Sequence, residues 1–259
     1  MPVAQPPAHP PRFGLPLTTA RLAFGVLTLV AIVAQYTHRD HPSSFYTVNY
    51  LSFFTNLSNL LAAGLLLYGA YLGLRQHRPS GHHASPNRPS APHASPNAPQ
   101  ASPNAPRASA SPGGPPNERN DSSPYDLLRG AAVVYMTITG MVFTLLLSRS
   151  AQALPWANAV VHYIMPVVIV LDWLVTPPQM PLTRARAARW LIFPAVYFVY
   201  TLVRGAIVDW YPYPFLDVDA HGYARVFANG VGVLVAISAV GMAALLAVNR
   251  LGARINSRR

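Results

Sequence analysis

Six apolar segments, at roughly 18–37, 46–74, 127–148, 157–175, 187–208 and 222–249, dominate the 259-residue chain and limit what it can fold into. A helix needs about 20 apolar residues to cross a hydrocarbon core about 30 Å thick, and each segment meets or approaches that length. The expected fold is therefore all-α, a polytopic membrane protein of six transmembrane helices. Charged residues make up 10% of the chain against about a quarter in soluble domains, so the apolar residues face something other than water. The first segment, apolar from Leu22 to Ala34, is read as a retained helix. The leader before it is proline-rich rather than basic, and no small-x-small cleavage site follows.

A formal charge of +11 invites a nucleic-acid reading, and the placement of the arginines argues against it. With both termini in the cytoplasm, only Arg39, Arg149, Arg204 and Arg225 of the nineteen arginines fall outside. Such asymmetry is the positive-inside signature of a multi-pass plasma-membrane protein, with the bilayer rather than nucleic acid as partner. On this reading the arginines lie in loops and tails.

Two stretches have a different composition. Residues 1–17 form a Pro-rich N-terminal tail. Residues 76–124 hold twelve of the 27 prolines and repeat Ala-Ser-Pro-Asn at 84, 94 and 101, so they cannot bury a core and are expected to be a disordered cytoplasmic linker. The linker separates helices one and two (18–75) from helices three to six (125–250), and a basic tail covers 251–259.

Without cysteine the chain has no disulfide framework and no thiolate chemistry. It lacks GxSxG, GxGxxG, P-loop and HExxH patterns, so the common hydrolase, dinucleotide, NTPase and zincin fingerprints are missing. A bis-His haem site needs two facing histidines and His162 alone lies at membrane depth, so no cofactor or metal is expected. Ionisable groups inside a bilayer are costly and mark functional candidates. Asp172 lies about 15 Å along the same helix from His162 and is expected to pair with Arg129 or Arg184. Arg204 ends a stripe of Tyr197, Tyr200 and Thr201, as a clamp for a substrate carboxylate or as a partner of Asp209 or Asp217. The loop Asp209-Trp-Tyr-Pro-Tyr-Pro-Phe-Leu-Asp217 reads as an interfacial cap or a lid.

In the second segment Ser52, Thr55, Asn56 and Asn59 recur at spacings of three and four, which puts them on one inward face of a continuous helix. Helix-to-helix hydrogen bonding is the competing reading. At 1.5 Å per residue Thr55 lies about 12 Å and His162 about 9 Å below the same side, so the two match in depth if the second and fourth helices are neighbours. An imidazole beside a hydroxyl is the usual way to activate a weak nucleophile at neutral pH. Asn56, Asn59 and Arg204 are the groups expected to hold an oxyanion or a substrate carboxylate.

Several runs carry a resemblance. Ser52-Phe-Phe-Thr-Asn-Leu-Ser-Asn-Leu60, Arg129-Gly130, His162-Tyr163 with Met165-Pro166, Leu171-Asp172-Trp173, Arg204-Gly205 and Tyr211-Pro-Tyr-Pro-Phe215 resemble bacterial six-helix membrane proteins of the Pr6Pr type. Those are similar in turn to the eukaryotic androgen-induced and androgen-dependent transmembrane proteins. The resemblance covers all six helices and implies a threonine hydrolase of hydroxy-fatty-acid esters, with a nucleophilic Thr on the second helix and a His on the fourth. Thr55 and His162 match those positions, and Ser52, one turn nearer the outside, is the alternative nucleophile. A small-molecule or proton-coupled transporter using Asp172, His162 and Arg204 is the other function class considered.

Overall fold

The computed structural model describes residues 14–38, 45–77, 124–148, 154–178 and 183–256. They form helices α1 (Leu15–Thr37), α2 (Phe45–Leu51), α3 (Phe54–His77), α4 (Pro124–Leu147), α5 (Pro155–Val175), α6 (Arg184–Val208) and α7 (Val218–Asn256). All but α2 are long and apolar enough to cross a membrane, so the expected all-α six-span architecture is what the chain adopts. The expected disordered segments lie outside the described residues except at their edges, where 15–17, 76–77 and 124 belong to helices. The expected basic tail is likewise described only to Asn256, as the end of α7.

The bundle is organised around α4. Eight consecutive residues, Arg129 to Met136, are buried, which marks a helix enclosed on all sides. It packs against α3, α5 and α7, while α1 lies along α3 and touches α5. The second and fourth spanning helices, α3 and α5, are therefore neighbours.

Two prolines shape the helices through the hydrogen bonds they cannot make. Pro194 in α6 leaves the carbonyl of Trp190 without its helical donor, and the Tyr135 hydroxyl of α4 donates to that oxygen at 2.8 Å. Pro166 in α5 does the same to the carbonyl of His162. The preceding turn, Val160–Ile164, widens to a π-helical turn, and the end of α4, Phe143–Leu147, is a second one. At Gly140 a side chain would meet the His162 carbonyl at 3.2 Å and the Pro166 ring at 3.3 Å, so glycine there lets α4 and α5 meet at that point.

Gly130 has a similar use. A Cβ there would press into the ring of Trp190 and meet Trp173 at 3.0 Å, whereas one at Gly64 would meet nothing within 4 Å. Gly130→Ala is expected to lower stability in detergent by about 1–3 kcal/mol because neither indole can yield cheaply. Gly64→Ala is expected to be neutral or slightly stabilising through helix propensity. Equal melting temperatures for the two variants would contradict this account of the α4–α6 contact.

The arginines depart from the sequence reading. Arg21 and Arg129 lie within α1 and α4 and are 2% and 6% exposed. They converge on Asp172 of α5: Arg21 Nε donates to one carboxylate oxygen at 2.5 Å and Arg129 Nη2 to the other at 2.8 Å. Arg129 also pairs with Asp126 at 3.3 Å, donates to the Thr176 carbonyl at 2.8 Å and bonds the Thr176 hydroxyl. The expected Arg129–Asp172 pair forms, Arg184 is replaced by Arg21, and the network ties α1, α4 and α5 at the end of the bundle that carries Arg75, Arg184, Arg186, Arg189 and Arg250. We call this the basic end.

Candidate active site

At the opposite end the second spanning segment is not one helix. Continuity fails at Ser52–Phe53, between α2 and α3, so Ser52 is not on a shared helical face with Thr55, Asn56 and Asn59. A break exposes backbone groups that a membrane interior cannot solvate, so each must find a partner within the protein. Asn56 Nδ2 donates to the Tyr50 carbonyl at 2.7 Å, and the Tyr197 hydroxyl donates to the Ser52 carbonyl at 2.8 Å. The N–H of Thr55, in the first turn of α3, donates to the Tyr213 hydroxyl at 3.3 Å. The Tyr-Pro-Tyr-Pro-Phe loop therefore does not rest on the surface as a cap: it folds inward and buries Tyr213. Burial raises the Tyr213 phenol above its ordinary pKa, so it stays a neutral O–H group.

This places the Thr55 hydroxyl at the positive end of a 24-residue helix, 3.4 Å from the Tyr213 hydroxyl. Thr55 lines a cavity of about 210 Å³ together with Asn56, Asn158, His162, Tyr213 and, towards the mouth, Gln35 and His38. The Asn158 Oδ1 atom is buried there without a hydrogen-bond partner. Thr55 and Tyr213, with Phe143 and Leu147, also line a second, apolar cavity of about 70 Å³ reaching in among α4, α6 and α7. A polar and an apolar chamber thus meet at Thr55.

His162 sits in the π-helical turn of α5, half-buried, with its ring stacked on Phe143 from the π-helical turn of α4 at 3.9 Å between centroids. Its Nδ1 lies 3.2 Å from the Asn158 carbonyl. A carbonyl only accepts, so Nδ1 carries the proton and Nε2 keeps the lone pair. Thr55 and His162 share the cavity without a hydrogen bond between them. Beneath both, Asn59 Nδ2 donates to the Thr55 carbonyl at 2.8 Å and to the Val161 carbonyl at 3.0 Å, fixing the two backbones relative to each other. Asn59 acts here as a strut and is not among the cavity-lining residues.

The remaining expected site residues lie elsewhere. Ser52 is turned from the cavity, its hydroxyl donating to the Val48 carbonyl at 2.7 Å and meeting the Tyr200 hydroxyl at 3.0 Å. Arg204 does not line the cavity, its Nη2 donating to Asn49 Oδ1 at 2.5 Å and its guanidinium lying over the Trp210 ring at 5.0 Å. Neither Asp209 nor Asp217 pairs with it. Asp172 belongs to the basic end. Reading by sequence overlooked Tyr213 and His38. The loop prolines hinted at a rigid turn, but nothing in the sequence aims a loop tyrosine at a helix N-terminus 158 residues away.

No family model matches the chain, and neither a curated protein nor a solved structure matches it.

Proposed function

We propose that the protein is a membrane-embedded hydrolase of lipid esters, including those of hydroxy fatty acids, with Thr55 as nucleophile and His162 as base. The reading rests on the Thr55 hydroxyl at the positive end of α3, in one cavity with a histidine whose Nε2 is free to take a proton. The chemistry follows from those groups. Thr55 Oγ1 attacks the ester carbonyl carbon as its proton passes to His162 Nε2, directly or through one water. The oxyanion that forms is stabilised by the α3 N-terminus and by the Tyr213 hydroxyl. The alkoxide leaves with the proton from the imidazolium, and water, deprotonated by His162, hydrolyses the acyl-threonine to a carboxylate. The resemblance to threonine hydrolases supports the same assignment. The arginine asymmetry supports a plasma-membrane placement with the basic end and both termini in the cytoplasm, so that the cavity opens outwards.

A second reading, a small-molecule transporter, draws on the broken α2–α3 helix, since interrupted helices also frame transport sites. Proton coupling through Asp172 does not suit it, because guanidinium donors occupy both carboxylate oxygens.

The deciding experiment combines turnover of long-chain acyl and hydroxy-fatty-acid esters by detergent-purified protein with labelling by a long-chain fluorophosphonate. The expected result is turnover, with the label on Thr55. A label on Ser52 would move the nucleophile, and an inert, unlabelled protein would overturn the hydrolase reading in favour of proteoliposome uptake assays.

A further inference from the structure

Thr55, Phe143, Leu147 and Tyr213 line both chambers, so an ester carbonyl at Thr55 sends one half of its molecule each way. The two directions differ in chemistry. The larger chamber offers Asn56, Asn158 and His162, with Gln35 and His38 towards its mouth. The smaller is walled mainly by hydrocarbon, with Ile138 and Ile237 buried in its lining. Two further polar side chains there are already engaged. The Thr139 hydroxyl lies 3.1 Å from that of Ser58, and the Tyr197 hydroxyl donates to the Ser52 carbonyl. A polar group entering this chamber would lose water and gain little in return.

The apolar chamber also has an open side. Towards α6 it is shut by Phe198, which lies against Gly230 so closely that a Cβ there would strike the ring. Towards the basic end α4 and α7 are close, since a Cβ at Gly241 would lie 3.7 Å from Val134. Nearer Thr55 the walls of the chamber on these two helices, Val142 and Leu147 on α4 and Val233 and Leu234 on α7, are half-buried. Leu145, Leu146 and Val235 beside them are exposed, as side chains facing hydrocarbon are. The enclosed volume of about 70 Å³ is a little over twice that of one water in the liquid, room for about two or three carbons. A longer chain must therefore continue outwards between α4 and α7.

We propose that the apolar chamber is the acyl site of the hydrolase, with the first carbons of the acyl chain inside it and the rest running between α4 and α7 into the bilayer. The alcohol half, with any further hydroxyl, lies in the polar chamber. The substrate class is an ester whose acyl chain is unsubstituted hydrocarbon near the carbonyl. This rests on the hydrolase reading and adds the direction of the substrate in the site.

The test uses an octyl fluorophosphonate carrying a diazirine at the third carbon from phosphorus, where phosphorus stands in for the ester carbonyl carbon and the alkyl chain for the acyl chain. Wild-type protein in nanodiscs is expected to take the label on Thr55 and, after photolysis, to cross-link to Val142 or Leu147 of α4 or to Val233 or Leu234 of α7. Val233→Phe, which fills the exit, should slow labelling by the octyl probe about tenfold relative to a methyl one. In turnover, wild type should favour the octanoyl over the 3-hydroxyoctanoyl ester of glycerol by about tenfold or more, because the added hydroxyl is desolvated without a partner. Cross-links to Gln35, Tyr50 or Asn158, cross-links to lipid alone, or equal turnover of the two esters would each overturn the acyl site while leaving Thr55 as nucleophile. A protein that takes no label and turns over neither ester would overturn the hydrolase reading and the acyl site with it.

Discussion

Asp172→Asn is expected to cost the fold about 3–5 kcal/mol, the cost of stranding buried guanidinium charge without its counterion. Asp172 is the carboxylate on which Arg21 of α1 and Arg129 of α4 converge, and all three side chains are almost fully buried. Losing the charge leaves Arg129 with Asp126 and takes from Arg21 the carboxylate to which its Nε donates. The effect should therefore be asymmetric. Removing one of the two cations that converge on Asp172 as well, in Arg21→Met/Asp172→Asn, should recover part of the loss, because the Arg129–Asp126 pair is neutral by itself. Thermal melting in detergent, followed by circular dichroism, measures both. An Asp172→Asn protein that melts with wild type would show that the network contributes little. A double variant less stable than the single one would show that the hydrogen bonds of Arg21 outweigh its charge. Because a structural role predicts these losses whatever the protein does, loss of function in an Asp172 variant discriminates between hydrolase and transporter only if the variant is shown to be folded.

The same network shows where sequence reading stops. Span number followed from length and apolar content, since a helix must match the bilayer, and the observed boundaries fall within about four residues of the expected ones except at the α2–α3 break and the far end of α7. The pairing of Asp172 with Arg129 was legible because both approach the same end of the bundle. Arg21 was not: its partner is 151 residues away and its position near a span end suggested a loop. The break at Ser52–Phe53 was equally hidden. Tyr-Leu-Ser-Phe-Phe contains no Gly or Pro, and two of the three hydrogen bonds that hold the chain open there are tertiary, those of Tyr197 and Tyr213, beside the local one from Asn56 to Tyr50. The matched depth of Thr55 and His162 was accessible from 1.5 Å per residue alone, because both spans enter from the same end. It required α3 and α5 to be neighbours, and the Asn59 strut is the contact that joins them.

Thr55→Ala and His162→Ala are each expected to lower kcat for ester hydrolysis by about a thousandfold or more, and the double variant by no more than the worse single one. Groups that act as one unit fail together, since a base without its nucleophile and a hydroxyl without its base are nearly equally inert. Thr55→Ser keeps the hydroxyl in the first turn of α3 and should retain measurable turnover, whereas Ser52→Ala, outside the cavity, should leave kcat near wild type. Tyr213→Phe should fall between these limits, at about ten- to a hundredfold, if its hydroxyl contributes one oxyanion hydrogen bond among several. Its KM should change less than its kcat, because that bond strengthens only as charge develops on the carbonyl oxygen. The outcome that would sink the dyad is multiplicative loss in the Thr55→Ala/His162→Ala protein. Independent losses would mean that the two side chains act at separate steps, with His162 shaping the cavity through its stack on Phe143 rather than taking the proton of Thr55.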